Sequence, residues 1–506
     1  MTTTEHRTTA LPGASFDSLD PATGDVVATY PVHTVDEVRQ VVARAQQAAG
    51  WWSALSFEER GALLTTWKGV LTRRIAQLAQ VVHDETGKPH GDAQLEIALA
   101  IDHLAWAAGH ARKVLGPRRV SPGLLLANQS ATVEYHALGV VGVIGPWNYP
   151  VFTPLGSITY ALAAGNAVVF KPSELTPGVG VWLANSFAEV VPDHPVFQTV
   201  TGLGETGAAL CRAGVNKLAF TGSTETGKKV MAACAETLTP VVIEAGGKDA
   251  LLVDEDADIE AAADAAVWGS MSNAGQTCIG VERVYVHEKV YDAFVSSVLT
   301  QARDLHASDD PETRIGPITM PAQLGVIRAH IEDAVRRGGR AVLGGADAVG
   351  DRFVQPTVLL DVPEDSTAIT EETFGPTLTI TKVPDMDEAI RRTNATRYGL
   401  GATVFSRRRG MELARRIRSG MTSVNSVIAF AGIPALPFGG VGDSGFGRIH
   451  GPDGLREFTY AKAIARQRFR PPMLLTSFTR TGKADSALVK LITVLHGGGS
   501  TLPRKP

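Results

Sequence analysis

Two α/β domains built on parallel sheets are the fold that this 506-residue chain predicts, and three observations lead there. A chain this long exceeds what one hydrophobic core serves, so two or three domains are expected. From residue 150 onward, short apolar runs end in a polar or glycine turn and give way to helical stretches, the pattern of parallel strands with crossover helices. Before that, residues 35–115 carry apolar side chains at three- and four-residue spacing, which predicts helix.

Taken in order, residues 1–17 read as a flexible leader, and Asp20-Pro21-Ala22-Thr23-Gly24 supplies a turn between two short strands. Val38, Val41, Val42 and Ala45, then Leu78, Val81 and Val82, mark the helical region. Residues 136–143 are strand-like. Gly145-Pro146-Trp147-Asn148-Tyr149-Pro150 must be irregular, with two prolines close together. Strands follow at Ala167-Val168-Val169-Phe170, Gln198-Thr199-Val200-Thr201, Lys217-Leu218-Ala219-Phe220 and Val241-Val242-Ile243. A second alternating region spans residues 250–446, with strands at Val284-Tyr285-Val286, Thr357-Val358-Leu359-Leu360 and Thr377-Leu378-Thr379-Ile380.

Composition narrows the class. Hydrophobic residues at 44% and charged residues at 20% describe an ordinary globular protein. Lys+Arg at 48 against Asp+Glu at 52 argues against a nucleic-acid partner. Three cysteines, Cys211, Cys234 and Cys278, make neither a disulfide framework nor a metal quartet, so a reducing cytoplasm fits and no metal is expected. The N-terminus lacks the apolar core of a secretory signal, and no apolar run approaches the roughly 18 residues needed to span a bilayer.

Cys278 carries the strongest chemical signal. It ends the small, polar stretch Ser272-Asn273-Ala274-Gly275-Gln276-Thr277, and Glu244 lies thirty-four residues upstream. A thiol is mostly protonated at neutral pH, so a carboxylate within reach would supply the base that a nucleophile needs. Three glycine-rich segments compete for attention. Gly202-Leu203-Gly204-Glu205-Thr206-Gly207 fits the dinucleotide fingerprint by letter but lacks an acidic strand end further on, Glu225 lying in another glycine turn. Gly222-Ser223-Thr224-Glu225-Thr226-Gly227-Lys228-Lys229 misses the phosphate loop at Lys229, which discards an NTPase and retains phosphate contact. Residues 438–448 read as a flexible loop with no ligand.

Seven segments in order resemble the aldehyde dehydrogenase superfamily, from about Asp20 to Thr459. They are Pro146-Trp147-Asn148-Tyr149-Pro150, Lys171-Pro172-Ser173-Glu174, Phe220-Thr221-Gly222-Ser223, Glu244-Ala245-Gly246-Gly247-Lys248, Gly275-Gln276-Thr277-Cys278, Glu372-Thr373-Phe374-Gly375-Pro376 and Pro437-Phe438-Gly439-Gly440. The resemblance implies NAD(P)-dependent oxidation of an aldehyde through a thioester on Cys278. Asn148 is implied as an oxyanion donor and Glu244 as the base that activates water. It implies cofactor contacts at Ile144, Pro146, Trp147, Lys171, Ser173, Glu174, Gly204, Phe220, Gly222, Ser223, Gly246, Glu372 and Phe374. Cys211 and Cys234 are expected to be buried packing.

The same resemblance implies a Rossmann-like cofactor domain at residues 18–116 and 138–245 and a second α/β catalytic domain at 246–450. A small β oligomerisation element at 117–137 and 451–470 would make a homodimer or homotetramer. Ala245 replaces a larger apolar residue. Glu174 repels a 2′-phosphate, which favours NAD, although NADP is admitted. The apolar loop at 427–436 has no arginine for a carboxylate, so an aliphatic or aromatic aldehyde is expected rather than succinic semialdehyde. Passage of the acyl group to CoA is the rival that Glu244 opposes, and a non-catalytic protein on this fold is a second rival. Residues 471–506 include an apolar stripe, Leu488, Leu491, Ile492 and Leu495, with Lys483 and Lys490 nearby. This is an amphipathic helix for a membrane surface, for a partner subunit or for the chain's own body.

Overall fold

The computed structural model describes residues 13–310, 312–471 and 476–497. They form two compact units. One holds the residues up to Leu115 together with His136–Tyr460, and the other holds Gly116–Tyr135 with the residues from Ala461 on.

The first unit begins with strands Ser15–Leu19 and Val26–Pro31, which pair antiparallel. Residues 15–17 are therefore strand rather than leader, held by pairing and by the buried Ser18 hydroxyl, which donates to Glu85 at 2.8 Å. The leader's first twelve residues lie outside the described ones. Helices Val35–Ala54, Phe57–Arg73, Ile75–Thr86 and His90–Leu115 follow. The first two start at reciprocal capping boxes, Thr34 with Glu37 and Ser56 with Glu59, and the third ends at Gly87 in the left-handed region.

A six-stranded sheet comes next, in the order Gly445–Phe446, Val241–Ala245, Lys217–Gly222, Val140–Ile144, Ala167–Lys171, Phe197–Thr199. The last five are parallel. Strand order reverses between Val140–Ile144 and Lys217–Gly222, and such a switch point opens a crevice at the carboxyl ends of the strands. The strand expected over 136–143 is in fact two, Gln129–Ala137 and Val140–Ile144. The Asn166 side-chain oxygen accepts from the backbone N–H groups of Leu138 and Gly139 at 2.7 and 3.0 Å, so those groups leave the ladder.

Residues 438–448 are not a flexible loop. Gly445–Phe446 pairs antiparallel with Ile243 and Glu244. Gly445 sits at φ +99°, and a Cβ there would lie 2.1 Å from the Ile243 carbonyl oxygen. The glycines permit close backbone approach here; they do not loosen the segment.

Gly246-Gly247-Lys248 carries the chain directly into a seven-stranded sheet, ordered Arg340–Leu343, Thr357–Leu360, Thr377–Val383, Val281–His287, Asp249–Val253, Ala402–Phe405, Ser423–Val424. All neighbours are parallel except the first pair. Leu251, Val284, Phe294, Val358 and Ile380 are among its fully enclosed core residues.

In the second unit, strand Arg118–Val120 pairs antiparallel with Gln129–Ala137, and Thr459–Gln467 forms the other edge of this three-stranded sheet. Helix Gly482–His496 follows, capped by Thr481, with no buried residue.

Candidate active site

Two loops, from opposite sheets, meet at Cys278. The first, residues 145–151, leaves strand Val140–Ile144. Without regular backbone pairing it needs other support, and a buried ion pair, Lys88–Glu96, supplies it. Glu96 accepts from the backbone N–H groups of Val151 and Phe152 at 2.8 and 3.0 Å. Lys88 Nζ donates to the Asn148 carbonyl oxygen at 2.9 Å and lies 3.9 Å from the Tyr149 ring centroid.

The second loop follows helix Ile259–Met271. Asn273, Ala274 and Gly275 have φ of +51°, +54° and +70°, three successive left-handed residues of which two have side chains. Such backbone costs on the order of 1 kcal/mol per non-glycine residue and persists only where surroundings enforce it. Here Asn273 Nδ2 donates to the carbonyls of Asn148 and Gln276 at 3.0 and 3.1 Å. Gln276 Nε2 returns a bond to Asn273 O at 3.0 Å, and its Oε1 accepts from Thr319 N at 2.8 Å. A Cβ on Gly275 would fall 2.0 Å from the Gly375 carbonyl oxygen, so only glycine fits.

The loops are then bonded to each other. Asn148 Nδ2 donates to the Gln276 carbonyl at 2.9 Å, and the Tyr149 and Thr277 hydroxyls are 3.0 Å apart. One Asn148 N–H is thereby fixed, which orients the other.

Glu244 ends strand Val241–Ala245 and is 4% exposed. Both carboxylate oxygens lack a hydrogen-bond partner among the described residues; Cys278 and Thr221 lie near it without full hydrogen-bond geometry. Burial, with the charge of Asp249 beyond, pushes its pKa up to about 7. Burial, then the charges of Glu244 and Glu372, push the Cys278 thiol well above its ordinary value. The unmodified site thus holds a protonated thiol beside a carboxylate that titrates near neutrality.

Cys278 and Thr153 line two cavities at once. One is walled by apolar side chains, including Leu95, Leu99, Phe152, Trp268 and Ile279. The other also takes in Asn148, Glu244, Pro146, Trp147, Gly222, Ser223, Gly246, Glu372 and Phe374. It opens at the switch point of the six-stranded sheet, where a dinucleotide would lie. Its walls suit one. Gly246 leaves room that a Cβ would close at 2.2 Å from Glu372 Oε2. Glu372, pushed up to about 8 by burial and by the charge of Glu282, accepts from Gly247 N at 3.0 Å.

Of the remaining expected cofactor residues, Ile144 and Phe220 are paired in register at the carboxyl ends of adjacent strands. Lys171 ends strand Ala167–Lys171 and Ser173 and Glu174 follow it, with Lys171 Nζ 3.2 Å from Glu174. Gly204 begins a helix after the edge strand Phe197–Thr199 and is exposed. Ser223 caps helix Thr224–Ala235, its hydroxyl accepting from Thr226 N at 3.3 Å.

Sequence reasoning missed the supports: Lys88, Glu96, and the pair Lys248–Glu282, whose carboxylate accepts from Thr373 N and Phe374 N. It also missed the helix face of Asp92, Leu95 and Leu99. The i, i+4 spacing of Leu95 and Leu99 was the available signal; nothing local marks Lys88 or Glu96 as buried.

A doubly wound sheet whose crevice opens beside a thiol is a frame that dinucleotide-binding enzymes use, and the comparisons specify the family. The aldehyde dehydrogenase family model matches residues 9–464, and the chain belongs to that family, NAD(P)-dependent enzymes acting on aldehydes. It is 35% identical over 491 residues to a 4,4'-diapolycopene aldehyde oxidase of Methylomonas sp, covering 96% of this chain and 92% of that one. A putative succinate-semialdehyde dehydrogenase [NADP(+)] of Mycolicibacterium smegmatis is 34% identical over 484 residues, with 94% and 93% covered. Among solved structures, an NAD-dependent aldehyde dehydrogenase from Sinorhizobium meliloti superposes with a TM-score of 0.87 at 34% identity, over 92% and 93% of the chains. PnpE in complex with nicotinamide adenine dinucleotide gives 0.86 at 32%, over 92% and 96%.

Proposed function

We propose that the chain oxidises a neutral aliphatic or aromatic aldehyde to its carboxylic acid through a thioester on Cys278 that water hydrolyses. Cys278 Sγ adds to the aldehyde carbon as its proton passes to Glu244, directly or through water. The free Asn148 N–H and the Cys278 backbone N–H stabilise the oxyanion, donors each worth on the order of 10²-fold in rate. Bound nicotinamide dinucleotide supplies the acceptor for the hydride that leaves the tetrahedral carbon. Glu244 gives the thiol proton up to solvent, then takes a proton from water as that water attacks the thioester; Cys278 departs as the thiolate and is reprotonated from Glu244, which resets the site. Lys171, Ser173, Glu174, Ser223 and Glu372 hold the dinucleotide in this proposal, with Ile144, Pro146, Trp147, Gly204, Phe220, Gly222, Gly246 and Phe374 around it.

The observation that carries this is Glu244: a buried carboxylate with unpartnered oxygens, beside the thiol, with its pKa at about 7. Such a group is a general base poised near neutral pH, and it favours release to water over release to CoA. Stopped-flow NADH formation tests it. Glu244→Gln should slow the single-turnover burst, because the thiol loses its proton acceptor, and lose the steady state; a variant with unchanged steady-state turnover would refute the role.

The apolar cavity supports the substrate class, since no lysine or arginine lines it. Succinic semialdehyde, named for a relative, would bring a carboxylate with no cation there to receive it. An aldehyde panel of varied charge decides between them by kcat/KM. Glu174 supports NAD over NADP, to be checked by kcat/KM with each. The exposed edge strand Thr459–Gln467 supports a homo-oligomer, measurable by light scattering. Chemistry through a free thiol suits a reducing cytoplasm.

A further inference from the structure

Charge is distributed very unevenly along the chain. Residues 461–506 carry nine lysines and arginines against one acidic residue, Asp485, although the whole chain is net −4. The remainder is strongly acidic, so the basic character of this segment stands against the rest of the protein. Asp485 is itself paired with Arg480 at 2.6 Å. Among the described residues no ion pair engages Lys462, Arg466, Arg468, Arg470, Lys483 or Lys490, and all six are exposed.

Apolar residues are exposed in the same segment. Phe469 is 56% exposed, Val489 64% and Val494 81%, and Phe478 is fully exposed. On helix Gly482–His496, Ala484, Leu488, Leu491, Ile492, Val494 and Leu495 span roughly 160° of the circumference at 100° per residue, a continuous apolar arc. Lys483 and Lys490 flank the arc just beyond its Val494 edge, and none of the fifteen residues is buried. Among the described residues no helix is long and apolar enough to cross a membrane.

We infer that helix Gly482–His496, with Arg468 and Arg470 ahead of it, binds the surface of an anionic bilayer, the helix lying in the interface with its apolar arc inward and the basic residues on lipid phosphates. Surplus positive charge beside exposed aromatic and aliphatic side chains is the combination that such a surface recognises. The inference is independent of which aldehyde is oxidised.

Co-sedimentation of the full-length enzyme with extruded vesicles tests this, using phosphatidylcholine alone and phosphatidylcholine with about 30 mol % phosphatidylglycerol. Binding is expected only with the anionic vesicles, and it should fall on raising salt to about 0.5 M. A chain ending at residue 471, and a full-length Lys483→Glu/Lys490→Glu variant, should each lose about tenfold or more in bound fraction. Both should retain oligomer size and NADH production from a short aldehyde. Failure of the full-length enzyme to bind anionic vesicles, or equal binding by the shortened chain, overturns the inference. So does a shortened chain whose oligomer dissociates while neither form binds vesicles, which would assign the segment to a second copy.

Discussion

Lys88 Nζ donates to the carbonyl oxygen of Asn148 at 2.9 Å across sixty residues of sequence, while its ion-pair partner Glu96 holds the next two backbone N–H groups beyond Pro150. A buried pair thus does for the Asn148 loop what a ladder does for a strand: it satisfies the backbone and sets where the amide points.

Lys88→Met should leave Glu96 as an unpaired buried charge and destabilise the protein by about 3–5 kcal/mol in chemical denaturation. Lys88→Met/Glu96→Gln should recover much of that loss. It should still turn over about tenfold or more slowly, because Asn148 has lost its anchor. Full recovery of kcat in the double variant would show that the pair serves folding alone.

Glu244 links activity to stability. Its raised pKa makes its contribution to stability fullest below about pH 4.5 and lost as pH climbs through about 7, a loss on the order of 3 kcal/mol at alkaline pH. Glu244→Gln should therefore be more stable than the parent at pH 8 and nearly equal at pH 4.5, as read by urea midpoints. In the parent, thioester hydrolysis should rise with pH through about 7 as the base becomes free.

Two glycines should behave oppositely. Gly275→Ala meets the Gly375 carbonyl oxygen at 2.0 Å in a left-handed backbone, and should lose about 2 kcal/mol or more together with activity. Gly204→Ala has open space and an ordinary φ, so its stability should change by less than about 0.5 kcal/mol. Its KM for NAD then reports whether the backbone at that glycine meets the cofactor.

Asp92 is a carboxylate in the wall of the apolar cavity with no hydrogen bond or ion pair to its side chain among the described residues, and burial raises its pKa. It should repel anionic aldehydes. Asp92→Asn should raise kcat/KM for succinic semialdehyde by about tenfold, equivalent to ~1.4 kcal/mol, while neutral aldehydes change little. Equal changes for both substrate classes would rule out a charge effect.

The strand-and-turn rhythm of residues 167–245 was legible because buried parallel strands are short apolar runs between glycine or polar turns, a pattern local in sequence. The motifs around Asn148, Glu244 and Cys278 were legible for a similar reason: each needs small or irregular neighbours within a few residues. The break at Leu138-Gly139 was not, since its cause is the side chain of Asn166, far along the chain. Nor was the order in residues 438–448, where glycine composition reads as looseness and the partner strand lies two hundred residues earlier.

By itself, then, the sequence determined the family and the α/β class, and it singled out Cys278, Glu244 and Asn148 as candidates for covalent chemistry on an aldehyde. Only the tertiary structure decided that Cys278 faces an apolar cavity on one side and a crevice lined by Glu244 and Glu372 on the other, that Glu244 has no hydrogen-bond partner among the described residues, and that Lys88 and Glu96 carry the Asn148 loop. The physical reason is that desolvation and hydrogen bonding depend on distance in space. A separation of thirty-four or sixty residues along the chain carries no distance until the two sheets are joined through Gly246-Gly247-Lys248.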